Sequence, residues 1–162
     1  MNPQERVVAH LRQLGADHEI VPCDPALADT AAFCEAYGYS PDDSANTIIV
    51  VGKGENPRPV ACVVLATTRL DVNGLVRRRL EVRKASFASA QETMQLTGME
   101  IGGVTAFALP AELPIWVDAA VMARERIILG GGSRAIKVLT APSTLAMLDN
   151  VTVIDDLARV RE

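Results

Sequence analysis

Apolar positions along this chain recur with two periods, and glycines, prolines and short polar runs punctuate them. Val7, Val8, Leu11 and Leu14 fall at helical spacing, so residues 3–14 predict a helix. Asn2 can cap it, Pro3 suits its first position, Glu5 stands where a capping-box carboxylate would, and Gly15 ends it. His18–Pro22 predicts a short strand. Thr30–Tyr37 predicts a second helix that stops at Gly38 and buries Phe33, Ala36 and Tyr37. The run Asn46–Val51 is the strongest strand signal. After a turn at Lys53–Pro57, Val60–Ala66 predicts the returning strand of a hairpin. Both runs are unbroken in apolar residues, which predicts cover on both faces.

The second half is richer in short strands. Asn73 can cap a helix through Leu80, and Ser89-Ala90-Gln91-Glu92 fits a capping box that opens a helix to Leu96, ended by Gly98. Ile115–Val117, Ala119–Met122, Ile127–Leu129 and Ile136–Leu139 predict strands. Pro142 starts a short helix through Leu148, and Val151–Ile154 is a last strand. This order lacks regular βαβ alternation. It predicts an α+β fold: a mixed, largely antiparallel, barrel-like sheet surrounded by helices. The length, 162 residues without an evident break, predicts one domain over residues 1–162.

Aromatics are only 4% of the chain, so the core must be built from Val, Leu, Ile and Ala, with Trp116 a core residue. A net charge of −4 argues against a general nucleic-acid footprint and leaves one local cluster for such contacts: Arg77, Arg78, Arg79, Arg83 and Lys84. That cluster reads equally as a solvated helix face. The three cysteines, Cys23, Cys34 and Cys62, have no CxxC spacing, so neither a disulfide framework nor a zinc site follows. Cys62 sits in an apolar strand and reads as a small buried hydrophobe. The start of the chain has no basic-then-apolar signal segment and no run reaches membrane-spanning length. A reducing cytoplasm is the expected setting.

Two glycine-bearing loops could carry chemistry, Gly98–Phe107 and Gly130–Arg134. Glycines let the backbone approach a ligand and aim N–H groups at it. The same loops read equally as tight turns, and neither matches a Walker A or a dinucleotide fingerprint. His10 and His18 are isolated from any nucleophile. Asp118, at the end of a strand, could orient an amine or a water, or cap the following turn.

Taken in order, these segments resemble the YbaK/prolyl-tRNA-synthetase-associated editing family. The resemblance runs through Asn46-Thr47-Ile48-Ile49-Val50, Val64-Leu65-Ala66 with Arg69-Leu70-Asp71, and Arg83–Ala88. It continues through Thr97–Thr105, Leu109–Asp118 and Gly130–Arg134. Its most specific part is the Thr-Gly-x-x-x-Gly-Gly-Val-Thr run at 97–105, followed by a Leu-Pro…Val-Asp strand. The resemblance implies a free-standing aminoacyl-tRNA deacylase, a carboxylic ester hydrolase that removes a wrong amino acid from tRNA and uses no metal or other cofactor. Its partners would be aminoacyl-tRNA and an aminoacyl-tRNA synthetase, with neither DNA nor membrane. Such a second site is needed because one missing methylene costs a synthetase pocket only about 1–3 kcal/mol.

By the same resemblance, Asn46, Gly102 and Gly103 would be the catalytic positions, with backbone N–H groups at the glycines serving a developing oxyanion. Thr47, Thr105, Phe107, Asp118, Gly130, Gly132 and Ser133 would bind substrate, and the Arg77–Lys84 cluster would meet tRNA. The sequence departs from the family at two places. Asn46 stands where many members carry a lysine, and Ala106 and Ala108 replace a proline and a glycine. These departures keep a second expectation open, a tRNA- or ligand-binding module of the same fold without turnover. A third is hydrolysis of another small aminoacyl ester.

Overall fold

The computed structural model describes residues 1–161. Helix α1 (Pro3–Leu14) starts and stops where its sequence signals lie. The Asn2 side chain accepts from the Glu5 N–H at 2.8 Å and donates to the Glu5 carboxylate at 3.1 Å. Gly15 takes the left-handed conformation at the C-cap. Strand β1 (His18–Pro22) and helix α2 (Thr30–Tyr37) follow. Next come β2 (Ala45–Gly52) and β3 (Arg58–Leu65), which pair antiparallel along their whole length as the expected hairpin. Strand β4 (Thr68–Leu70), helix α3 (Arg77–Leu80), strand β5 (Ala85–Phe87) and helix α4 (Ala90–Thr97) complete the middle. The last third holds β6 (Ile115–Asp118), α5 (Ala119–Met122), β7 (Ile127–Gly130), β8 (Ile136–Thr140), β9 (Val151–Ile154) and β10 (Ala158–Val160).

The strands form three sheets. A five-stranded sheet runs β5-β2-β3-β6-β9, a three-stranded sheet runs β1-β8-β7, and β10 pairs with β4. The α+β expectation holds, whereas the sheets do not close into a barrel. Among the described residues, an isolated parallel bridge from Ser44 to Ile128 is the one backbone pairing that joins the two larger sheets. The sheet is also less uniformly antiparallel than its hairpin suggests, because β6 pairs in parallel with both β3 and β9.

Strand alternation divides β3 between two cores, as its apolar run requires. Ala61, Val63 and Leu65 face the larger core with Val7 and Leu11 of α1, Ile115 and Val117 of β6, and Leu129 and Val138 of the smaller sheet. Val60, Cys62 and Val64 face the second core with Val76, Leu80, Ile154 and Leu157. Each fully buried side chain of this size contributes about 1.5–3 kcal/mol. Cys62 is fully buried, and desolvation pushes its thiol up to about 12, as befits a packing residue. All three cysteines are free. Trp116 is only half-buried, packed against the second core.

Three local expectations are corrected. Ala119–Met122 is a helical turn, not a strand. The ladder to β9 ends at Asp118↔Ile154, so the chain must turn there, and the two alanines favour a helix. The helix predicted from Asn73 is capped by Asp71, whose carboxylate accepts from Gly74 N–H at 3.0 Å. It begins as a π-helical turn, Val72–Val76, before α3. In α2 the buried side chains are Phe33 and Cys34, while Ala36 and Tyr37 are exposed. Tyr37 lies flat on Phe33 at 4.9 Å, and its hydroxyl accepts from Asp24 N–H at 2.8 Å, so its polar end stays at the surface. No helix among the described residues is long and apolar enough to cross a membrane.

Candidate functional site

The first half of β2 leaves the core. Ile49 to Gly52 are buried, but Asn46, Thr47 and Ile48 are only half-buried. They form one wall of a cleft of about 280 Å³. The start of α2 (Thr30) with its cap Asp29, the loop Ile101–Gly102 with Val104, Gly130 at the end of β7 and Lys137 of β8 face it, and Ala88 and Thr93 complete the lining with Ala28, Ala45 and Ile49.

The polar groups here are held in specific ways. The Thr30 hydroxyl donates to Asn46 Oδ1 at 2.9 Å, which fixes the amide and leaves its N–H₂ as a donor. The Thr47 hydroxyl is buried and has no hydrogen-bond partner among the described residues. Lys137 is 8% exposed, an unusual position for an ammonium group. Its Nζ donates to the carbonyls of Ala28 at 2.6 Å and Gly102 at 3.2 Å and lies 5.4 Å from the Phe33 ring centroid. An ammonium has three donors, so one remains. Burial lowers the pKa of Lys137, and Arg134 adds to that, while Cys23 and Asp29 oppose it. Asp29 is the one carboxylate of the lining, and it also accepts from Arg134 Nη1 at 3.2 Å.

The glycine loops contribute unequally. Gly102 has φ +92° and lies on the cleft wall, with its carbonyl on Lys137. Gly103 is buried behind it. Its N–H donates to Glu100 O at 2.9 Å, and its carbonyl accepts from Gly132 N–H at 2.7 Å. The expected oxyanion donor at Gly103 is therefore already engaged.

Profile comparison places residues 24–148 in the aminoacyl-tRNA editing domain family. The chain belongs to that family. The editing domain is 31% identical over 125 residues to proline–tRNA ligase of Bacillus licheniformis, a match covering 75% of this chain and 20% of the ligase. It is 22% identical over 140 residues to the uncharacterized protein YwhH of Bacillus subtilis, covering 86% of this chain and 87% of YwhH. Its fold resembles the crystal structure of a candidate trans-editing enzyme for prolyl-tRNA synthetase. The TM-score is 0.82, the identity 21%, and 99% of each chain is covered.

Of the expected site residues, Asn46, Thr47, Gly102 and Gly130 come together in the cleft of the editing domain. Gly103, Thr105, Phe107, Asp118, Gly132 and Ser133 are not part of its lining. Thr105 and Phe107 are fully buried, Phe107 in the larger core. Asp118 is buried at the end of β6, where burial raises its pKa and the N–H groups of Leu157, Ala158 and Ala120 partly offset that. It does not line the cleft, and its Oδ2 has no hydrogen-bond partner among the described residues. Gly132 has φ +93° and packs on the backbone of Pro3, and the Ser133 hydroxyl donates to Gln4 at 2.7 Å, so this loop seats α1. Arg78, Arg79, Arg83 and Lys84 are exposed, Arg77 is half-buried, and none lines the cleft. Sequence reasoning missed Lys137 and Asp29. A lysine inside the apolar run Ile136–Leu139 was the available signal for the first.

Proposed function

We propose that this chain is a single-domain aminoacyl-tRNA deacylase that hydrolyses the ester of mischarged tRNA and so edits in trans. The observation that carries the reading is the lone cation of the lining, Lys137, which shares with Asn46 a cleft the size of a small aminoacyl group. In this reaction water adds to the ester carbonyl, the C–O bond to the terminal ribose breaks, and the ribose oxygen leaves with a proton. The free N–H of Lys137, the Asn46 amide and the Gly102 N–H are the donors for the oxyanion formed on the way. The unpartnered Thr47 hydroxyl orients the ester, and Asp29 accepts from the substrate's α-ammonium group. A synthetase that releases the mischarged tRNA is the second partner, and the cytoplasm is the corresponding setting.

The test is loss of the aminoacyl ester from a panel of mischarged tRNAs, with wild type, Asn46→Ala and Asn46→Lys. Hydrolysis of one member, weakened by Asn46→Ala, is expected. No hydrolysis of any member by wild type overturns the deacylase reading. The neutral amide at position 46, already bonded to Thr30, favours one alternative, a tRNA-binding module without turnover. Activity that appears only in Asn46→Lys would establish it.

A further inference from the structure

A second and larger groove, about 1020 Å³, lies between the β4–β10 ladder, the π-helical turn after Asp71 and the edge strand β5. Three arginines line it, Arg69, Arg159 and Arg161, all exposed. Arg69 and Arg159 sit directly opposite each other across the two-stranded ladder. Like charges in that register destabilise a ladder unless something anionic lies between them. No carboxylate among the described residues forms an ion pair with any of the three. Asp71, also in the lining, accepts from the Gly74 N–H and forms no ion pair with these arginines, so the lining keeps three cations against one carboxylate. The groove also holds Phe87, a large aromatic that is 58% exposed at the end of β5.

The position of Phe87 connects the two cavities. Its next neighbour, Ala88, lines the cleft described above, so one peptide unit separates the groove from the cleft around the edge of the sheet. On the other side the groove includes Asn73, whose carbonyl accepts from Arg77 Nε at 2.9 Å. The exposed Arg77–Lys84 cluster thus continues the same basic surface.

We propose that this groove binds the acceptor end of RNA, with Arg69, Arg159 and Arg161 on phosphates and Phe87 stacked on a base, and so leads the 3′ end into the cleft. Guanidinium forks suit phosphate oxygens, and an exposed aromatic is a sequence-tolerant platform for an unpaired base. The proposal rests on the aminoacyl-tRNA reading of the cleft.

The experiment measures binding of an uncharged proline tRNA transcript to the full chain by fluorescence anisotropy, over a series of KCl concentrations. The double variant Arg69→Ala/Arg159→Ala should bind about tenfold or more weakly, and the slope of log K against log salt should shrink by about two. Phe87→Ala should weaken binding about tenfold with little change in slope. Arg159→Glu guards against a folding artefact. It sets a carboxylate opposite Arg69, so Tm should hold or rise while tRNA binding is lost. Unchanged affinity and slope in the double variant overturn the proposal. So does capture of phosphatidylserine vesicles without binding of the transcript. Uncharged tRNA is not turned over, so binding without hydrolysis of any charged tRNA would sink the deacylase reading and leave the groove standing.

Discussion

The two glycine loops look alike as sequence and do different work. Gly98–Phe107 reaches the cleft at Gly102 and Val104, whereas the second loop, Gly130–Arg134, touches it only through Gly130 and otherwise fastens the first loop and α1. A side-chain carbon at Gly103 would stand 2.6 Å from the backbone of Ser133, and one at Gly130 would stand 2.4 Å from the Val104 carbonyl. At Gly102 the nearest neighbour is instead the Arg134 guanidinium, and the φ of +92° strains any side chain placed there. A glycine required by close backbone packing, as at Gly103 and Gly130, is thus a different object from one required by a positive φ, as at Gly102, although all are written with the same letter.

The sharpest way to break this comparison is Gly103→Ala. Its obstacle is backbone that cannot rotate away, so the variant should lose about 3 kcal/mol or more of stability, read from the denaturant midpoint. Gly102→Ala should lose less, about 1–2 kcal/mol for the left-handed backbone together with the displacement of the Arg134 guanidinium. Equal losses would mean that the two positions are not distinct.

Next in size is Lys137→Met, which removes the cation that holds Gly102 from behind. Deacylation should fall about a hundredfold. Tm should fall as well, since Met leaves the Ala28 and Gly102 carbonyls without their donor, so activity is compared at a temperature where both proteins are folded. Full activity in this variant would remove Lys137 from the site.

A smaller effect concerns the far end of the first loop. Ala108 N–H donates to His10 Nδ1 at 2.7 Å, and burial lowers the pKa of His10 from its ordinary 6.5. The unfolded chain therefore takes up this proton before the folded one. The contribution is complete above pH 6.5 and is lost as pH falls through the folded-state pKa. The unfolding midpoint should drop on acidification from pH 7 to below that pKa, and His10→Asn should flatten the drop. An identical profile in wild type and variant would exclude His10.

The smallest expected effect is a gain. Ala108 has φ +60°, a left-handed conformation that costs an alanine about 1 kcal/mol. Ala108→Gly should therefore raise stability by roughly 0.5–1 kcal/mol. A loss would show that the methyl group packs usefully.

The local signals that predicted elements correctly have local causes. The Asn2 cap, the Ser89–Glu92 capping box and the left-handed glycines at 15, 38 and 98 all act within one helical turn. The β2–β3 hairpin was legible because two unbroken apolar runs flank a turn. One error was local, the cap at Asp71 rather than Asn73, and the larger ones were non-local. The Ala119–Met122 segment is β-compatible in isolation, and only the end of the β6–β9 ladder forces it to turn. The barrel expectation failed for the same reason, since sheet closure depends on which edges meet.

By itself the sequence determined the main helices and the β2–β3 hairpin, though not the short strands β4, β5 and β10, together with the apolar character of the cores, the kinship with editing domains and four residues of the cleft wall, Asn46, Thr47, Gly102 and Gly130. Only the tertiary structure decided which cation serves that cleft. Lys137 lies far from Asn46 along the chain, and its place follows from the packing of the smaller sheet against β2 and α2. Burial, and the carbonyls of Ala28 and Gly102 aimed at one ammonium group, are properties of that packing and have no period or spacing in the sequence.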